Sequence, residues 1–191
     1  MRASPWSLLA TGLVGMLLGS LTVAPPPHVH AQAQQLPSTL PGAWRYPHPD
    51  AHGLAIVRAA VEPAIRALPS MFQGLARERL AQRTRMATRI EIGNAHESVQ
   101  VSSHGERDLS IDMPLGATPR TIRAPEGHEV QASHRLSGGW LEQVFTGPNG
   151  DLRILYSTEP DGRTLHVDTS ITSERLAQPI RYRLDYVRVE P

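Results

Sequence analysis

The sequence predicts a mostly β fold of the α+β class, with two helices followed by an antiparallel, up-and-down meander of about nine strands. Hydrophobic residues recur every three or four positions in residues 51–87 and every second position from residue 88 onward. Short groups of Gly, Pro, Asn and Asp separate the alternating runs. Because a long meander leaves two unpaired edges, we expect it to close or curve strongly into a barrel with the helices packed on or into one side.

The first 33 residues have the composition of an export signal. Arg2 is their only charged residue, an apolar run extends from Trp6 to Val23, and the segment ends in the small-residue site Ala31-Gln32-Ala33. This order predicts a secretory signal peptide over residues 1–33 and a periplasmic or extracellular protein. The alternative is an uncleaved anchor, since a spanning helix needs roughly 17–25 residues.

The remaining chain suits one domain that is stabilised by burial alone. Its length matches a single domain with a substantial core, and the absence of cysteine excludes disulfides. All 19 basic residues are Arg, against 18 acidic residues. These nearly equal numbers of basic and acidic residues lack the basic excess of a nucleic-acid-binding protein, so no nucleic-acid partner is expected. The oligomeric state is left open.

A Pro-rich arm covers residues 34–50 and precedes the single domain of residues 51–191. Its four prolines remove backbone donors and fix φ, so we expect no regular element there. Trp44 and Tyr46 lie within the arm, and such an aromatic pair is typical of a plug at one end of a core.

Two helices are predicted in the helical part, residues 51–87. Asp50 can cap the first, Pro63 should kink or restart it, and Pro69 ends it. Ser70 and Gln73 form a capping-box pattern for a second, Arg-rich helix that reaches about residue 87. The stripe that faces the core in the first helix consists of Leu54, Val57, Val61, Ile65 and Leu68.

The β-meander is predicted over residues 88–190. Because successive side chains of a strand point to opposite faces, the alternating pattern predicts one face against a core and the other against solvent. The strands are expected at 88–92, 98–103, 108–113, 119–124, 128–136, 140–146, 152–158, 163–171 and 180–190. The inner face is expected to contain Ile90, Ile92, Val99, Val101, Leu109, Ile111, Ile122, Val130, Leu141, Phe145, Leu152, Ile154, Leu165, Val167, Ile171, Ile180, Tyr182 and Leu184.

Several segments resemble the lipocalin-like (calycin) β-barrels. They are GWLEQVF (139–145), DLRILYS (151–157), DGRTLHV (161–167) and IRYRLDYVR (180–188), together with the GAW triplet at 42–44, which resembles the opening of such barrels. The same layout is similar to that of uncharacterised secreted bacterial proteins. This chain departs from the lipocalin pattern because two helices separate Trp44 from the strand at Thr88. The resemblance implies a barrel whose apolar interior takes a small hydrophobic molecule.

Six side chains are candidate ligand-binding residues. On the inner face, polar groups must find protein partners or a ligand, and two Arg one turn apart on the second helix could meet an anionic group. The alternatives are an internal hydrogen-bond network for the first group and structural ion pairs for the second. The candidates are Arg79, Arg83, His134, Gln143, Tyr156 and Tyr182.

Two other groups of polar residues have residue types that could form a chemical site. His48, Asp50 and His52 place three potential metal ligands within five residues, but Pro49 interrupts the helical spacing and no fourth ligand is indicated. We interpret them as a solvated loop and helix cap. His166 and Asp168 alternate on the wet face and are interpreted as a solvated pair. No metal, cofactor or catalytic residue is predicted.

The sequence therefore favours a non-enzymatic binding module for a small hydrophobic or amphipathic ligand. The alternative is a structural or adaptor protein of the cell envelope that binds a protein partner or an anionic lipid surface through the Arg-rich helix or the arm. Contact with membranes is expected only through the signal segment or a weak surface attachment. An enzyme with its active site at the barrel mouth is the third hypothesis.

Overall fold

The computed structural model describes residues 35–84, 86–95, 98–106, 108–116, 118–124 and 127–190. The chain divides into two units, and all of these residues belong to the second, Ala33–Pro191. The predicted signal at residues 1–33 lies outside the described residues. The elements are β1 (Gly42–Arg45), α1 (Asp50–Arg66), α2 (Ser70–Arg83), β2 (Ala87–Ala95), β3 (Ser98–Gly105), β4 (Leu109–Pro114), β5 (Arg120–Arg123), β6 (Glu129–Ser137), β7 (Trp140–Gly147), β8 (Gly150–Thr158), β9 (Thr164–Thr172) and β10 (Ile180–Arg188).

All ten strands form one antiparallel sheet in the order β4-β3-β2-β1-β10-β9-β8-β7-β6-β5. The sheet curves until its two ends approach each other. Leu115, just after β4, forms a parallel bridge with His134 on β6, and the Gly116 backbone N–H donates to the His134 carbonyl over 2.9 Å. The predicted fold class, a strongly curved meander with two helices, is confirmed.

Strand β1 corrects the prediction for the Pro-rich arm. Gly42–Arg45 lies in the middle of the sheet, where Trp44 pairs with Ile90 on β2 and with Arg188 on β10. The prolines of the arm flank these four residues, so the backbone donors of β1 are intact and can pair on both sides. The nine strands expected from residue 88 onward correspond in order to β2–β10.

The helices begin near the predicted positions, but without the predicted caps. Pro49 and Pro69 occupy the cap positions and neither helix has a side-chain cap. The Gln73 side chain donates to the Leu68 carbonyl instead of completing a capping box. α1 continues through Pro63 as one helix, and α2 ends at Arg83 rather than near residue 87. α2 ends earlier than predicted because the chain must leave the helix before β2 begins at Ala87.

Helix α1 packs into the core, whereas α2 lies mostly outside it. The buried face of α1 comprises Val57, Val61, Ala64 and Ile65, which join one hydrophobic cluster with Leu40, Trp44 and Tyr186. α2 contributes only the partly buried Ala76 and Leu80 to this cluster. Among the described residues, no helix is both long and apolar enough to cross a bilayer.

Candidate functional site: the cavity inside the curved sheet

The concave face of the sheet encloses a cavity of about 290 Å³. Aliphatic and aromatic side chains from β2 to β10 form most of its walls, including Ile90, Val101, Phe145 and Val167. Residues of the turns β3–β4, β5–β6 and β7–β8 also line it, and these turns lie at the same end of the antiparallel sheet. A largely apolar cavity with a few polar groups is typical of a small-molecule site.

Polar side chains cross the sheet as a belt at one level. His134 on β6 pairs in register with Gln143 on β7, which pairs with Ile154 on β8. Ile154 pairs with Thr169 on β9, and Thr169 pairs with Tyr182 on β10. We call His134, Gln143, Thr169 and Tyr182 the polar belt, and the apolar Ile154 lies at its centre. Because side chains of cross-strand pairs project to the same face, the belt brings residues nearly fifty positions apart onto one wall.

Hydrogen bonds connect one end of the polar belt to Tyr156. The Tyr156 hydroxyl donates to Gln143 Oε1 over 3.0 Å, and Gln143 Nε2 lies 2.9 Å from His134 Nε2. Since the amide nitrogen donates, His134 Nε2 accepts, and a neutral imidazole then has its hydrogen on Nδ1. Nδ1 is buried and has no hydrogen-bond partner among the described residues. Gln143 and Tyr156 line the cavity. His134 is fully buried and holds the Gln143 side chain in place by a hydrogen bond.

Burial keeps these groups uncharged at neutral pH. Burial lowers the pKa of His134 below 6.5, while the charge of Asp112 and the main chains of Val99 and Met113 oppose this shift in part. Burial also raises the pKa of Tyr156 and, despite a hydrogen bond from Thr169, that of Tyr182. The belt therefore offers neutral donors and acceptors rather than ions.

The structure brings four of the six candidate ligand-binding residues together: His134, Gln143, Tyr156 and Tyr182. Arg79 lies exposed on α2 and does not line the cavity. The side chain of Arg83 lies outside the described residues. Their role in binding stays a prediction. Sequence reasoning missed Thr169, although the alternation Val167, Thr169, Ile171 places it on the inner face.

The two remaining groups of polar residues are His48, Asp50 and His52, which were possible metal ligands, and His166 with Asp168. Rings of His48 and His52 lie 4.7 Å apart, and the Tyr46 hydroxyl lies 2.8 Å from His52 Nδ1. Within the described ranges, no group of three or more His, Asp or Glu residues is placed to hold a metal.

The expected pair of His166 with Asp168 does not form. His166 Nδ1 lies 2.7 Å from Asp185 Oδ1, while Asp168 binds Arg183 through two contacts of 2.8 Å. Both partners come from β10 because residues of neighbouring strands approach more closely across the sheet than residues two positions apart along one strand.

Comparison with known proteins identifies the fold. No protein-family model matches the chain, and no curated protein matches it either. Among solved structures, the REP1-NXSQ fatty acid transporter aligns with 15% identity and a TM-score of 0.51, over 81% of this chain and 99% of that one. A secretory abundant heat soluble (SAHS) protein from Ramazzottius varieornatus aligns with 14% identity and a TM-score of 0.52, over 79% of this chain and 96% of that one.

Lipid binding protein 8 of Caenorhabditis elegans, in its apo form, aligns with 8% identity and a TM-score of 0.52, over 82% of this chain and all (100%) of that one. At these identities the likeness establishes the fold alone. The chain has the fold of the fatty-acid-binding-protein type of calycin barrel, as the resemblance in the sequence predicted.

Proposed function

We propose that this protein, which has a calycin-type fold, is a non-enzymatic binding module. Its cavity holds a small hydrophobic or amphipathic molecule. The observation that carries the proposal is the cavity of about 290 Å³ with mostly apolar walls and a polar belt along one of them. Solved structures with the same fold include a fatty acid transporter and a lipid binding protein, which supports binding of an apolar molecule.

The protonation of the polar groups supports binding over catalysis. General acid–base catalysis works best with a group whose pKa lies near the working pH. Burial moves the pKa values of Tyr156 and Tyr182 upward and that of His134 downward, away from neutrality in each case. Such groups orient a ligand by hydrogen bonds and do not exchange protons readily with it.

The proposal includes export, because the composition of residues 1–33 predicts a cleaved signal. Expression in a bacterial host, followed by cell fractionation and intact-mass measurement, should give a periplasmic or extracellular species that begins at Gln34. A cell-associated protein with the mass of the whole chain would instead support the retained anchor.

Blocking the cavity tests the binding function. Ile154 faces the cavity, while its neighbour Leu155 faces outward opposite Glu142 and Asp168. The Ile154→Trp variant should lose binding of the neutral dye Nile red, since the larger ring occupies the cavity. The Leu155→Trp variant adds the same ring on the same strand and should bind the dye like the original protein.

Nile red fluorescence and circular dichroism on both variants provide the measurement. Overpacking costs about 1–3 kcal/mol, so a melting curve confirms that each variant is folded. Native mass spectrometry of the gently purified protein should also show an additional small-molecule mass, which is absent from Ile154→Trp. If neither method detects a molecule bound to the original protein, the binding function is wrong.

A second candidate function is attachment to an anionic lipid surface through α2. Three large apolar side chains on this helix are exposed, Met71 at 79%, Phe72 at 51% and Leu75 at 49%. Arg79 lies exposed one turn after Leu75. Apolar side chains next to cations are typical of helices that lie on membrane surfaces.

Flotation with vesicles distinguishes this candidate from a cavity function. Vesicles containing phosphatidylglycerol should bind the protein at low salt and release it at high salt, whereas pure phosphatidylcholine vesicles should not bind it. The Phe72→Ser variant should weaken attachment and leave Nile red binding unchanged. Equal binding to both vesicle types would contradict the electrostatic contribution.

A further inference from the structure

We propose that the ligand has a small uncharged head group that both donates and accepts hydrogen bonds, such as an alcohol, and that the polar belt holds this group. The inference deepens the proposed binding function and rests on it. It selects between two classes of amphipathic molecule that share an alkyl chain: neutral alcohols and fatty-acid carboxylates.

The charges around the cavity favour a neutral head group. Two acidic residues, Glu106 and Asp151, are among those that line it. Among the described residues that line the cavity, none is an arginine. An ionised carboxylate that leaves water needs a compensating cation or several strong donors. Here it would reach a wall whose polar belt is made of neutral side chains.

The hydrogen-bonding capacity of the polar belt matches a hydroxyl group. A side-chain amide has two N–H donors and two acceptor positions on its oxygen. Gln143 uses one donor toward His134 and one acceptor position toward Tyr156. The remaining amide hydrogen can donate to a ligand oxygen, and the Tyr156 oxygen, whose hydrogen is already committed, can accept from a ligand hydroxyl.

Thr169 and Tyr182 extend the same wall. Thr169 on β9 and Tyr182 on β10 are cross-strand partners, and each has a hydroxyl group that can donate to a ligand oxygen or accept from a ligand hydroxyl. Both residues line the cavity and occupy the two belt positions farthest from His134. A ligand oxygen near Ile154, midway along the belt, would then have donors on both sides.

The size of the cavity limits the rest of the ligand. Small-molecule pockets in proteins commonly measure about 300–1,000 Å³. At about 290 Å³ this cavity lies at the lower limit. One alkyl chain of moderate length fits such a space better than a branched or two-chain lipid.

Competition between matched ligands tests the inference. Nile red is first bound to the protein at pH 7.5 and then displaced with 1-decanol or with decanoate, which differ only in the head group. The alcohol should displace the dye with an inhibition constant at least about tenfold lower than that of the carboxylate, which corresponds to one unpaired polar interaction. Equal displacement, or preference for decanoate, would overturn the inference while the binding function stands.

Two variants locate the head group. Thr169→Val and Tyr182→Phe each remove one hydroxyl group and preserve most of the volume, and each should weaken decanol binding about three- to tenfold with little effect on decanoate. Ser103→Ala is the matched control, because Ser103 also lines the cavity but lies on β3, outside the polar belt. Its ratio of decanol to decanoate affinity should equal that of the original protein.

The possible results separate the two proposals. If both belt variants keep the original ratio, the head group lies elsewhere and the inference is wrong, even though a ligand binds. If Nile red itself does not bind, the proposed function fails and the inference fails with it. Weaker decanol binding in the belt variants, with the Ser103→Ala ratio unchanged, supports both.

Discussion

The side chain of Arg188 on β10 connects the last strand to the segment around β1. Its guanidinium lies 4.1 Å above the Trp44 ring and donates to the carbonyls of Gly162, Pro41 and Thr39. Gly42 beside it has φ of +147°, and a Cβ there would overlap the guanidinium. A planar group with several donors in a fixed geometry is required to satisfy three carbonyls and stack on a ring at once.

The Arg188→Lys variant should therefore be destabilised by about 2–3 kcal/mol, because hydrogen bonds from charged groups are worth about 1.5–3 kcal/mol and an ammonium cannot replace all of them. Arg183→Lys, on the same strand but in an exposed pair with Asp168, should change stability by less than about 0.5 kcal/mol. Urea unfolding of both variants measures the difference. Equal losses would show that Arg188 acts as an ordinary surface cation.

His134 makes the stability of the domain depend on pH. Burial lowers its pKa in the folded chain below 6.5, so at acidic pH the unfolded state binds a proton that the folded state does not. Its contribution is complete above about pH 6.5 and is lost as the pH falls through the lowered pKa.

The free energy of unfolding should consequently decrease between pH 7.5 and pH 5 in the original protein. His134→Gln has no titrating group there and keeps a side chain that can accept from Gln143, so its stability should decrease less over the same interval. Urea midpoints at several pH values provide the comparison. Parallel curves for the two proteins would assign the acid sensitivity to other residues.

Four of the six candidate residues were predictable as inward-facing because each lies two positions from an inward-facing residue of its own strand. What they contact was not predictable. The bond between Tyr156 and Gln143 depends on the register of two neighbouring strands, which the alternation of either strand alone does not specify.

At the scale of elements, the two helices differ in how closely they pack. Gly53 on α1 faces Met86 and lies against the Tyr46 ring, where a Cβ would come within 3.1 Å of ring carbons and overlap Met86 Sδ. Gly74 on α2 has open space around it. The same substitution in each helix should therefore have opposite effects.

Gly74→Ala should stabilise the protein by about 0.5–1 kcal/mol through helix propensity alone. Gly53→Ala gains the same propensity but forces Met86 and Tyr46 to move, and we expect a net loss of about 1–3 kcal/mol. Thermal unfolding measures both. Combining Gly53→Ala with Met86→Ala should recover part of the loss, since it removes the overlapping sulfur; stabilisation by Gly53→Ala alone would contradict the close packing of α1.

Element types were predictable from hydrophobic periodicity, and the nine predicted strands correspond to β2–β10. β1 was not, because a segment of four residues between prolines has too few positions for alternation to be recognised. Its strand conformation comes from pairing on both sides with β2 and β10, which are distant in sequence.

At the scale of the whole molecule, a second hydrophobic cluster joins the two ends of the sheet. It comprises Ile111 and Met113 from β4, Ala132 from β6 and Phe145 from β7. Among the described residues, the end of β4 is linked to β6 by the bridge between Leu115 and His134 and the hydrogen bond from Gly116, and not by a continuous ladder. Side-chain packing therefore contributes more than backbone pairing to the approach of the two ends.

Met113→Ala should destabilise the protein by about 2–5 kcal/mol, as expected for a large side chain removed from a packed site. Met71→Ala makes the same change where the side chain is 79% exposed, and should alter stability by less than about 0.5 kcal/mol. Hydrogen exchange should also accelerate at β4 in Met113→Ala ahead of the central strands. Unchanged protection of β4 would show that the cluster is not needed to hold the ends together.

The sequence by itself determined the order and type of most elements and which side of each strand faces inward, because these follow from local periodicity and turn chemistry. Only the tertiary structure decided that β1 lies in the middle of the sheet, that the ends meet through side chains, and that His134, Gln143, Thr169 and Tyr182 form one belt. Those features depend on strand register and on contacts between residues far apart in the chain, such as Arg188 with Thr39. Alternation within one strand cannot encode which residue of a neighbouring strand lies beside it.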